Sequence, residues 1–215
     1  MYQTAHKIKS TGMEYLLFLP SGYNKEESKK WPVIFFLHGI GERGNNVEMV
    51  SKHGPHKRAE KQEDFPFIVV APQCKATAYW SDEKVISDLN RLYDGILATT
   101  SCDPGRVYLT GLSMGGFGAW AWAAESPRKF AAVVPICGGG ASNKVDTLVN
   151  TPVWAFHGAK DMIVPPSRSV KMVEALKKAG GRVDLTIYPD AEHDSWTETY
   201  ENPELYQWML SHKRE

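Results

Sequence analysis

The stretch "YLTGLSMGGFGAW", residues 108–120, places one serine between closely spaced glycines where an apolar run passes into a helix-forming run. A strand that leads directly into a helix needs a sharp turn, and Gly111 and Gly115 leave room for it because they carry no Cβ. The spacing therefore predicts that Ser113 is held at an exposed corner. Backbone N–H groups at the start of the following helix would face any negative charge that develops there. We predict Ser113 as a nucleophile.

Apolar runs of strand length recur on both sides of this corner. They are PVIFFLHG (32–39), PFIVVAP (66–72), RVYLTG (106–111), FAAVVPI (130–136), TPVWAFHG (151–158) and VDLTIYP (183–189). Their apolar character does not alternate, which is typical of strands that are buried on both faces. Helix patterns lie between them and after them, at 82–99, 114–125, 167–181 and 202–213. This alternation predicts an α/β fold with a mostly parallel central sheet and helices on both faces.

The N-terminal segment has a different pattern. YLLFLP (15–20) follows a Ser-Thr-Gly turn, and its partner arm lies in QTAHKIK (3–9). The two arms predict an antiparallel hairpin at the edge of the sheet.

Composition narrows the class of protein. The 215 residues are 42% hydrophobic, enough for one domain spanning 1–215. Lys plus Arg equal Asp plus Glu at 25 each, with no basic run, so we expect no nucleic-acid partner. No apolar run is long enough to span a membrane and the N-terminus lacks a signal-peptide core, so we expect a cytoplasmic protein. A secreted form with its leader removed would have the same sequence. Three cysteines without a CxxC spacing argue against a disulfide scaffold.

A serine hydroxyl needs a base beside it to attack at neutral pH. Among the seven histidines, His193 lies on a polar loop after the last predicted strand, and we predict it as that base. His38 and His157 directly follow apolar runs, where buried, hydrogen-bonded imidazoles are expected instead. His53 and His56 are spaced i, i+3 and could hold a metal, but no further ligand cluster accompanies them. We therefore predict no metal and no cofactor.

The base needs a carboxylate that fixes its tautomer. Asp161 lies just past the run 151–158, at the sheet edge where the other candidates are expected. Asp190 is the second choice, because it shares the loop of His193 and would have to fold back on it. The chain order Ser113, Asp161, His193 is the order that hydrolases with a Gly-x-Ser-x-Gly turn use.

Two loops and two tryptophans complete the predicted site. The glycine-rich turn after His38 predicts the Ile40 N–H as one oxyanion donor. The Met114 N–H, directly after Ser113, is predicted as the other. Each donor is worth on the order of 3 kcal/mol in the transition state. Trp80 and Trp196 lie near strand ends and are candidate substrate walls, with packing in the core or at the surface as the alternative.

Four stretches together resemble a known group. FFLHGIGERG (35–44), VYLTGLSMGGFGAW (107–120), HGAKDMIVP (157–165) and HDSWTETYENPELYQWML (193–210), in this order, resemble α/β-hydrolase esterases of the phospholipase/carboxylesterase type. The nearest branch is that of the bacterial "predicted peptidase" or polyhydroxybutyrate-depolymerase-like esterases, which also resemble feruloyl esterases. The resemblance implies an α/β-hydrolase fold with the roles given above for Ser113, Asp161, His193, Ile40 and Met114. Dienelactone hydrolases are related but carry a cysteine in place of Ser113.

These patterns predict a serine carboxylesterase for short- to medium-chain acyl esters. The short polar connection between Cys137 and Thr151, where lipases often insert a helical lid, predicts an open cleft without a lid domain. A feruloyl or acetyl-xylan-type esterase acting on polysaccharide-linked esters is the first alternative. Thioesters and peptides are less favoured substrates. A non-catalytic binding protein of the same fold is the rival class, although such proteins usually lose a triad residue or a neighbouring glycine. The oligomeric state is left open.

Overall fold

The computed structural model describes residues 2–7, 12–23, 28–62 and 64–214, and its eight strands form one sheet. The strands are β1 (Tyr2–Lys7), β2 (Glu14–Leu19), β3 (Trp31–Leu37), β4 (Ile68–Pro72), β5 (Cys102–Leu112), β6 (Ala132–Ile136), β7 (Val153–Gly158) and β8 (Val183–Tyr188). They lie in the order β1-β2-β4-β3-β5-β6-β7-β8. β1 pairs with β2 and β2 with β4 in antiparallel fashion, and all other pairs are parallel. The predicted sheet and edge hairpin are confirmed.

Within the described residues, six α-helices connect or follow these strands. They are α1 (His56–Lys61), α2 (Glu83–Thr99), α3 (Met114–Glu125), α4 (Ser167–Lys178), α5 (Trp196–Glu201) and α6 (Pro203–Ser211). Short 3₁₀ helices occupy Ile40–Glu42, Val47–Ser51 and Ser142–Leu148. The four predicted helices are present, with ends that differ by a few residues or fewer. No helix in the described part of the chain is long and apolar enough to cross a membrane.

The sequence patterns did not predict α1 and α5. Both are only six residues long, too short to show a helical repeat of apolar residues. The start of α5 is also hard to recognise in the sequence, because the residues at its beginning are polar and bond to one another. Asp194 accepts hydrogen bonds from the backbone N–H and the hydroxyl of Thr197, at 3.0 and 2.9 Å, so the segment reads as a polar loop.

Neighbouring residues of each central strand enter different cores, which explains the uninterrupted apolar runs. Phe35 and Leu109 pack in one core together with α2, α3 and α4. Phe36 and Tyr108 pack in the other, together with α5 and α6. Since successive strand side chains point to opposite faces, a sheet covered on both sides needs apolar residues at every position.

The connection between β6 and β7 is short and packed against the body of the protein. It holds the 3₁₀ helix Ser142–Leu148, whose Val145 and Leu148 are buried in the same core as α3 and α4. Across residues 137–151, all of which the structure describes, no helical lid is inserted. The carboxyl edge of the sheet is therefore not covered from this connection.

Glycines at the β5–α3 turn are required for close packing, and this can be tested by adding one methyl group. A Cβ on Gly115 would overlap the carbonyl oxygen of Leu37, which is backbone and cannot swing away. We expect Gly115→Ala to lower the free energy of unfolding by at least about 2 kcal/mol in urea denaturation.

Gly95→Ala is the matched control, because Gly95 lies in α2 with nothing within 4 Å of an added Cβ. It should raise stability by about 0.5–1 kcal/mol, since alanine is the better helix former. Equal effects of the two substitutions would contradict the packing argument.

Candidate active site

Ser113 lies at the turn between β5 and α3 in a strained backbone conformation. Its φ of 52° and ψ of −116° are unusual for a residue with a side chain. The turn is held from one side by the Ser113 N–H, which donates to the Ile136 carbonyl at 3.0 Å. Such strain costs about 1–3 kcal/mol and persists only where the surroundings enforce it. The predicted sharp corner is present.

The first turn of α3 packs between the ends of β3 and β6, the two strands that flank β5. A Cβ on Gly115 would overlap the end of β3, and one on Gly116 would overlap the Ile136 carbonyl of β6. One on Gly111 would overlap Gly115 itself. The glycines are thus needed for close approach of backbone to backbone, as the sequence indicated for Gly111 and Gly115.

Ser113, His193 and Asp161 form one hydrogen-bonded chain. Ser113 Oγ lies 2.9 Å from His193 Nε2, and His193 Nδ1 lies 2.7 Å from Asp161 Oδ2. Because an ionised carboxylate only accepts, His193 Nδ1 carries the proton and Nε2 is left to accept from the serine hydroxyl. The imidazole is thus in the tautomer that a general base requires.

Asp161 is held as a buried carboxylate. Its Oδ1 accepts the backbone N–H groups of Ile163 and Val164, at 2.9 and 2.8 Å, and its side chain has no exposed surface. Burial by itself would raise the pKa of Asp161, but the hydrogen bonds from His193, Val164 and Ile163 outweigh it and hold the pKa below its usual value. The group is therefore ionised at neutral pH. Asp190, the second choice from sequence, instead forms an exposed ion pair with Lys160 at 2.8 Å.

The predicted oxyanion donors begin two helices that approach each other. Ile40 is the first residue of the 3₁₀ helix Ile40–Glu42 and Met114 the first of α3. N–H groups at such positions have no partner within their own helix. The loop before Ile40 is packed closely on the end of β5, since a Cβ on Gly39 would lie 2.9 Å from Leu112 Cδ1. Their role in binding an oxyanion stays a prediction.

Trp80 does not form a substrate wall. Its ring is completely buried, and a Cβ on Gly118 would overlap its Cβ. Its indole N–H donates to the His38 carbonyl at 3.0 Å. The prediction was wrong because sequence position near a strand end does not tell which way a side chain points. Trp80 instead fixes the loop that carries Ile40.

Trp196 lies directly beside the base. Its ring meets that of His193 edge to face, with 5.3 Å between centroids, and that of His53 at 5.6 Å. It also lines a cleft of about 810 Å³ whose other walls include His53, Lys57 and Arg58. A contact between Trp196 and substrate remains a prediction.

The other histidines have structural partners. His38 is buried and accepts the Cys74 N–H at Nε2 (3.0 Å), while its Nδ1 lies 2.6 Å from the Gly39 carbonyl. Burial lowers the pKa of His38 to about 4, so its ring is neutral and braces the loop. His157 is also completely buried, as predicted. His56 Nε2 lies 3.0 Å from the Ser51 carbonyl, and its ring stacks on Phe18.

Sequence reasoning assigned no chemistry to Cys137, which the structure places against the nucleophile. Its Sγ lies 3.2 Å from the Ser113 backbone N. Among the described residues, Cys137, Asp161 and His193 form the one group of three potential metal ligands that lie close together. Burial raises the pKa of the Cys137 thiol to about 12, so it stays protonated, which makes it a poor ligand and a poor nucleophile. Its positive φ of 40° has no signal in the sequence.

Comparison with known proteins places this geometry in a family. The model of the dienelactone hydrolase family matches residues 3–206. The crystal structure of a thermostable esterase is 34% identical and superposes with a TM-score of 0.86, covering 99% of this chain and 63% of that one. "Probable feruloyl esterase C" of Aspergillus terreus is 28% identical over 174 residues, 79% of this chain and 63% of that protein.

A more distant structure supports the fold alone. The S-formylglutathione hydrolase from Agrobacterium tumefaciens is 16% identical, with a TM-score of 0.75 over 97% of this chain and 94% of that one. The predicted α/β-hydrolase fold is confirmed. The chain spans 63% of the length of the thermostable esterase and of the Aspergillus protein.

The role of Asp161 can be tested with an isosteric change. In Asp161→Asn the N–H groups of Ile163 and Val164 select the amide oxygen for the Oδ1 position, which turns the NH₂ group towards His193 Nδ1. His193 would then carry its proton on Nε2 and could not accept from Ser113. We expect the rate at which a fluorophosphonate probe labels Ser113 to fall by about 10³- to 10⁴-fold. Asp190→Asn is the control and should label at the wild-type rate; similar losses in both would contradict the assignment.

The neutral state of His38 predicts a pH dependence of stability. The unfolded chain takes up a proton on this residue near pH 6.5 and the folded one only near pH 4, so stability is full above 6.5 and falls as pH drops towards 4. This group alone should remove up to about 3 kcal/mol of unfolding free energy over that interval. In urea denaturation at pH 7 and pH 5, His38→Gln should show a smaller loss than wild type. Parallel losses would refute a buried neutral His38.

Proposed function

The chain belongs to the dienelactone hydrolase family, and from this membership and the geometry at Ser113 we propose that it is a serine carboxylesterase. The observation that carries the proposal is the continuous hydrogen-bonded chain from Ser113 Oγ through His193 to Asp161, with distances of 2.9 and 2.7 Å. A serine held on a strained turn and paired with a correctly protonated base is the arrangement that acyl transfer to a hydroxyl requires. In this proposal residues 1–215 form one catalytic domain.

The reaction proceeds in two halves. Ser113 Oγ attacks the ester carbonyl while His193 Nε2 takes its proton, and Asp161 stabilises the resulting imidazolium. The N–H groups of Ile40 and Met114 donate to the oxyanion of the tetrahedral intermediate. His193 then protonates the departing alcohol, which leaves an acyl group on Ser113. Water, deprotonated by His193, attacks this acyl-enzyme, and collapse of the second intermediate releases the acid and restores Ser113.

Serine, and not cysteine, is the nucleophile in this proposal. Cys137 is close, but it is completely buried and its pKa is raised to about 12 by burial, so it supplies no thiolate at neutral pH. The chemistry proposed here is therefore ester hydrolysis through an acyl-serine.

Exposed apolar side chains support an apolar acyl or aryl group in the substrate. Of the six large hydrophobic side chains exposed in the described part of the chain, four lie in the segments that follow β3, β4 and β7 within ten residues, namely Ile40, Tyr79, Met162 and Ile163. Met162 and Ile163 directly follow Asp161 and are 89% and 73% exposed. Because no lid covers this edge from the β6–β7 connection, we propose short- to medium-chain esters bound in an open cleft.

A feruloyl esterase is the second candidate. It is favoured by the similarity to the Aspergillus protein, which extends over 79% of this chain. Its aromatic acyl group would pack on exposed apolar side chains such as Tyr79. The alcohol part of the ester would then be a sugar of a polysaccharide. An acetyl ester of xylan is the related substrate of this second candidate.

The proposal is tested by the hydrolysis of p-nitrophenyl esters from acetate to palmitate, with methyl ferulate alongside. We expect the rate to peak at a short or medium chain and to fall by at least about 10⁴-fold in Ser113→Ala, which lacks the nucleophile. The wild-type rate should also rise from acidic to neutral pH, because only a neutral imidazole accepts the serine proton.

Preference for methyl ferulate over every aliphatic ester would select the second candidate. Equal rates in wild type and Ser113→Ala would refute the nucleophile. No hydrolysis of any ester by wild type would favour a non-catalytic binding protein of the same fold.

A further inference from the structure

A second imidazole contacts the carboxylate that orients His193. His157 lies in β7 with no exposed surface, and its Nε2 is 3.2 Å from Asp161 Oδ2. The same oxygen accepts from His193 Nδ1 at 2.7 Å. Asp161 Oδ2 therefore has two imidazoles beside it, and the mechanism derived above uses only one of them.

The surroundings of His157 determine where its proton lies. Nε2 faces the Val164 carbonyl at 2.8 Å as well as Asp161 Oδ2, and both oxygens are acceptors only, so Nε2 must carry a proton. Nδ1 lies 2.7 Å from Ser169 Oγ in α4. Ser169 is itself completely buried, and its hydroxyl lies 3.0 Å from the Gly138 carbonyl. The hydrogen bond from Nε2–H to the Val164 carbonyl, with Asp161 Oδ2 close by, is thus the feature of His157 that the geometry requires.

We propose that His157 is a positioning residue for Asp161. Its Nε2–H donates to the Val164 carbonyl at 2.8 Å and its ring lies 3.2 Å from Asp161 Oδ2, which fixes the 161–164 turn and keeps the carboxylate in line with His193. This inference rests on the proposed function, since it concerns the same site. Asp161 accepts three N–H donors, from Ile163 and Val164 at Oδ1 and from His193 at Oδ2. Two of these donors belong to the turn that His157 holds, so the carboxylate cannot rotate without losing a buried hydrogen bond.

The contacts of His157 also tie Asp161 to the nucleophile turn. Ser169 Oγ lies 2.7 Å from His157 Nδ1 and 3.0 Å from the Gly138 carbonyl, and a Cβ on Gly138 would overlap the backbone of Gly116 in the first turn of α3. The path therefore runs from the start of α3 back to Asp161. The relative position of a base and a nucleophile must be kept to within a fraction of an ångström. This path fixes the carboxylate relative to the turn that carries Ser113.

The charged and titratable neighbours of this pair set the expected pH effect. Within the described residues these are His193 on Oδ2 and the Cys137 thiol, which interacts with Asp161; Ser169 and the Val164 carbonyl are neutral. Removing the His157 N–H takes a partial positive charge from beside Oδ2, 3.2 Å away. The carboxylate then stabilises the His193 imidazolium more strongly, so the acidic limb of the rate profile should move to higher pH.

The test compares His157→Leu, which removes the donor, with His157→Gln, whose amide nitrogen reaches the place of Nε2. We expect kcat for the best p-nitrophenyl ester to fall by about 10- to 100-fold in His157→Leu, with KM unchanged. The acidic limb of the pH–rate profile of His157→Leu should move to higher pH by about 0.5 unit. His157→Gln should restore most of kcat and the wild-type profile.

His56→Leu is the matched control, since it removes another buried imidazole bonded to a backbone carbonyl. It should lower thermal stability without changing kcat or the pH profile. If His157→Leu keeps the wild-type kcat, or if the Leu and Gln variants lose activity equally with an unshifted profile, the positioning role is refuted. Should His157→Leu not fold, Ser169→Ala takes its place, with a smaller loss of kcat expected, and an unchanged kcat would count against the proposal.

A measurement without turnover separates this inference from the proposed function. In ¹⁵N–¹H NMR of the inactive Ser113→Ala protein, His157 should show a downfield Nε2–H signal that moves upfield when Asp161→Asn is added. If the signal is absent, or if its chemical shift is unchanged by Asp161→Asn, the contact between His157 and Asp161 is refuted even if the protein is an esterase. The signal in a protein whose wild type hydrolyses no ester would uphold the contact and refute the esterase.

Discussion

The backbone of Ser113 is the constraint on which the site depends. A residue with φ of 52° and ψ of −116° is stable only where its neighbours leave no alternative, and here β3 and β6 press against the first turn of α3. That contact needs glycine at 111, 115 and 116, because any side chain there would overlap backbone. The same closeness brings the loop carrying Ile40 beside the start of α3. The strain at one residue thus organises the nucleophile and the predicted oxyanion donors together.

A buried negative charge is the second organising element. Asp161 has no exposed side-chain surface, and an unpaired carboxylate in that position would be strongly destabilising. Three N–H donors, from Ile163, Val164 and His193, offset this cost and keep the carboxylate ionised and oriented. The neutral, buried His38 is at the opposite extreme, since it serves only as a brace. Two buried residues of ionisable type are thus kept in different charge states, Asp161 ionised by its hydrogen bonds and His38 neutral by its burial.

Much of the fold and of the site was predictable because both follow from local patterns. Uninterrupted apolar runs predicted strands covered on two faces, and the glycine spacing around Ser113 predicted the corner. The choice of Asp161 and His193 followed from their place just past strand ends, since the carboxyl ends of parallel strands share one edge of the sheet. The short helices α1 and α5 were not predicted, because six residues cannot show a helical repeat and Asp194 caps α5 with a loop-like sequence.

The sequence by itself determined the order of strands and helices, the nucleophile turn and the three polar residues that meet at one edge. Tertiary structure alone decided which way side chains near that edge point and what they bond. Trp80, which reads like a pocket wall, is buried and holds the His38 carbonyl. Cys137 lies against Ser113, and His157 lies 3.2 Å from the Asp161 carboxylate, without any sequence signal for either contact. The physical reason is that periodicity records which face of an element is buried, whereas hydrogen-bond partners come from segments distant in the chain that only packing brings together.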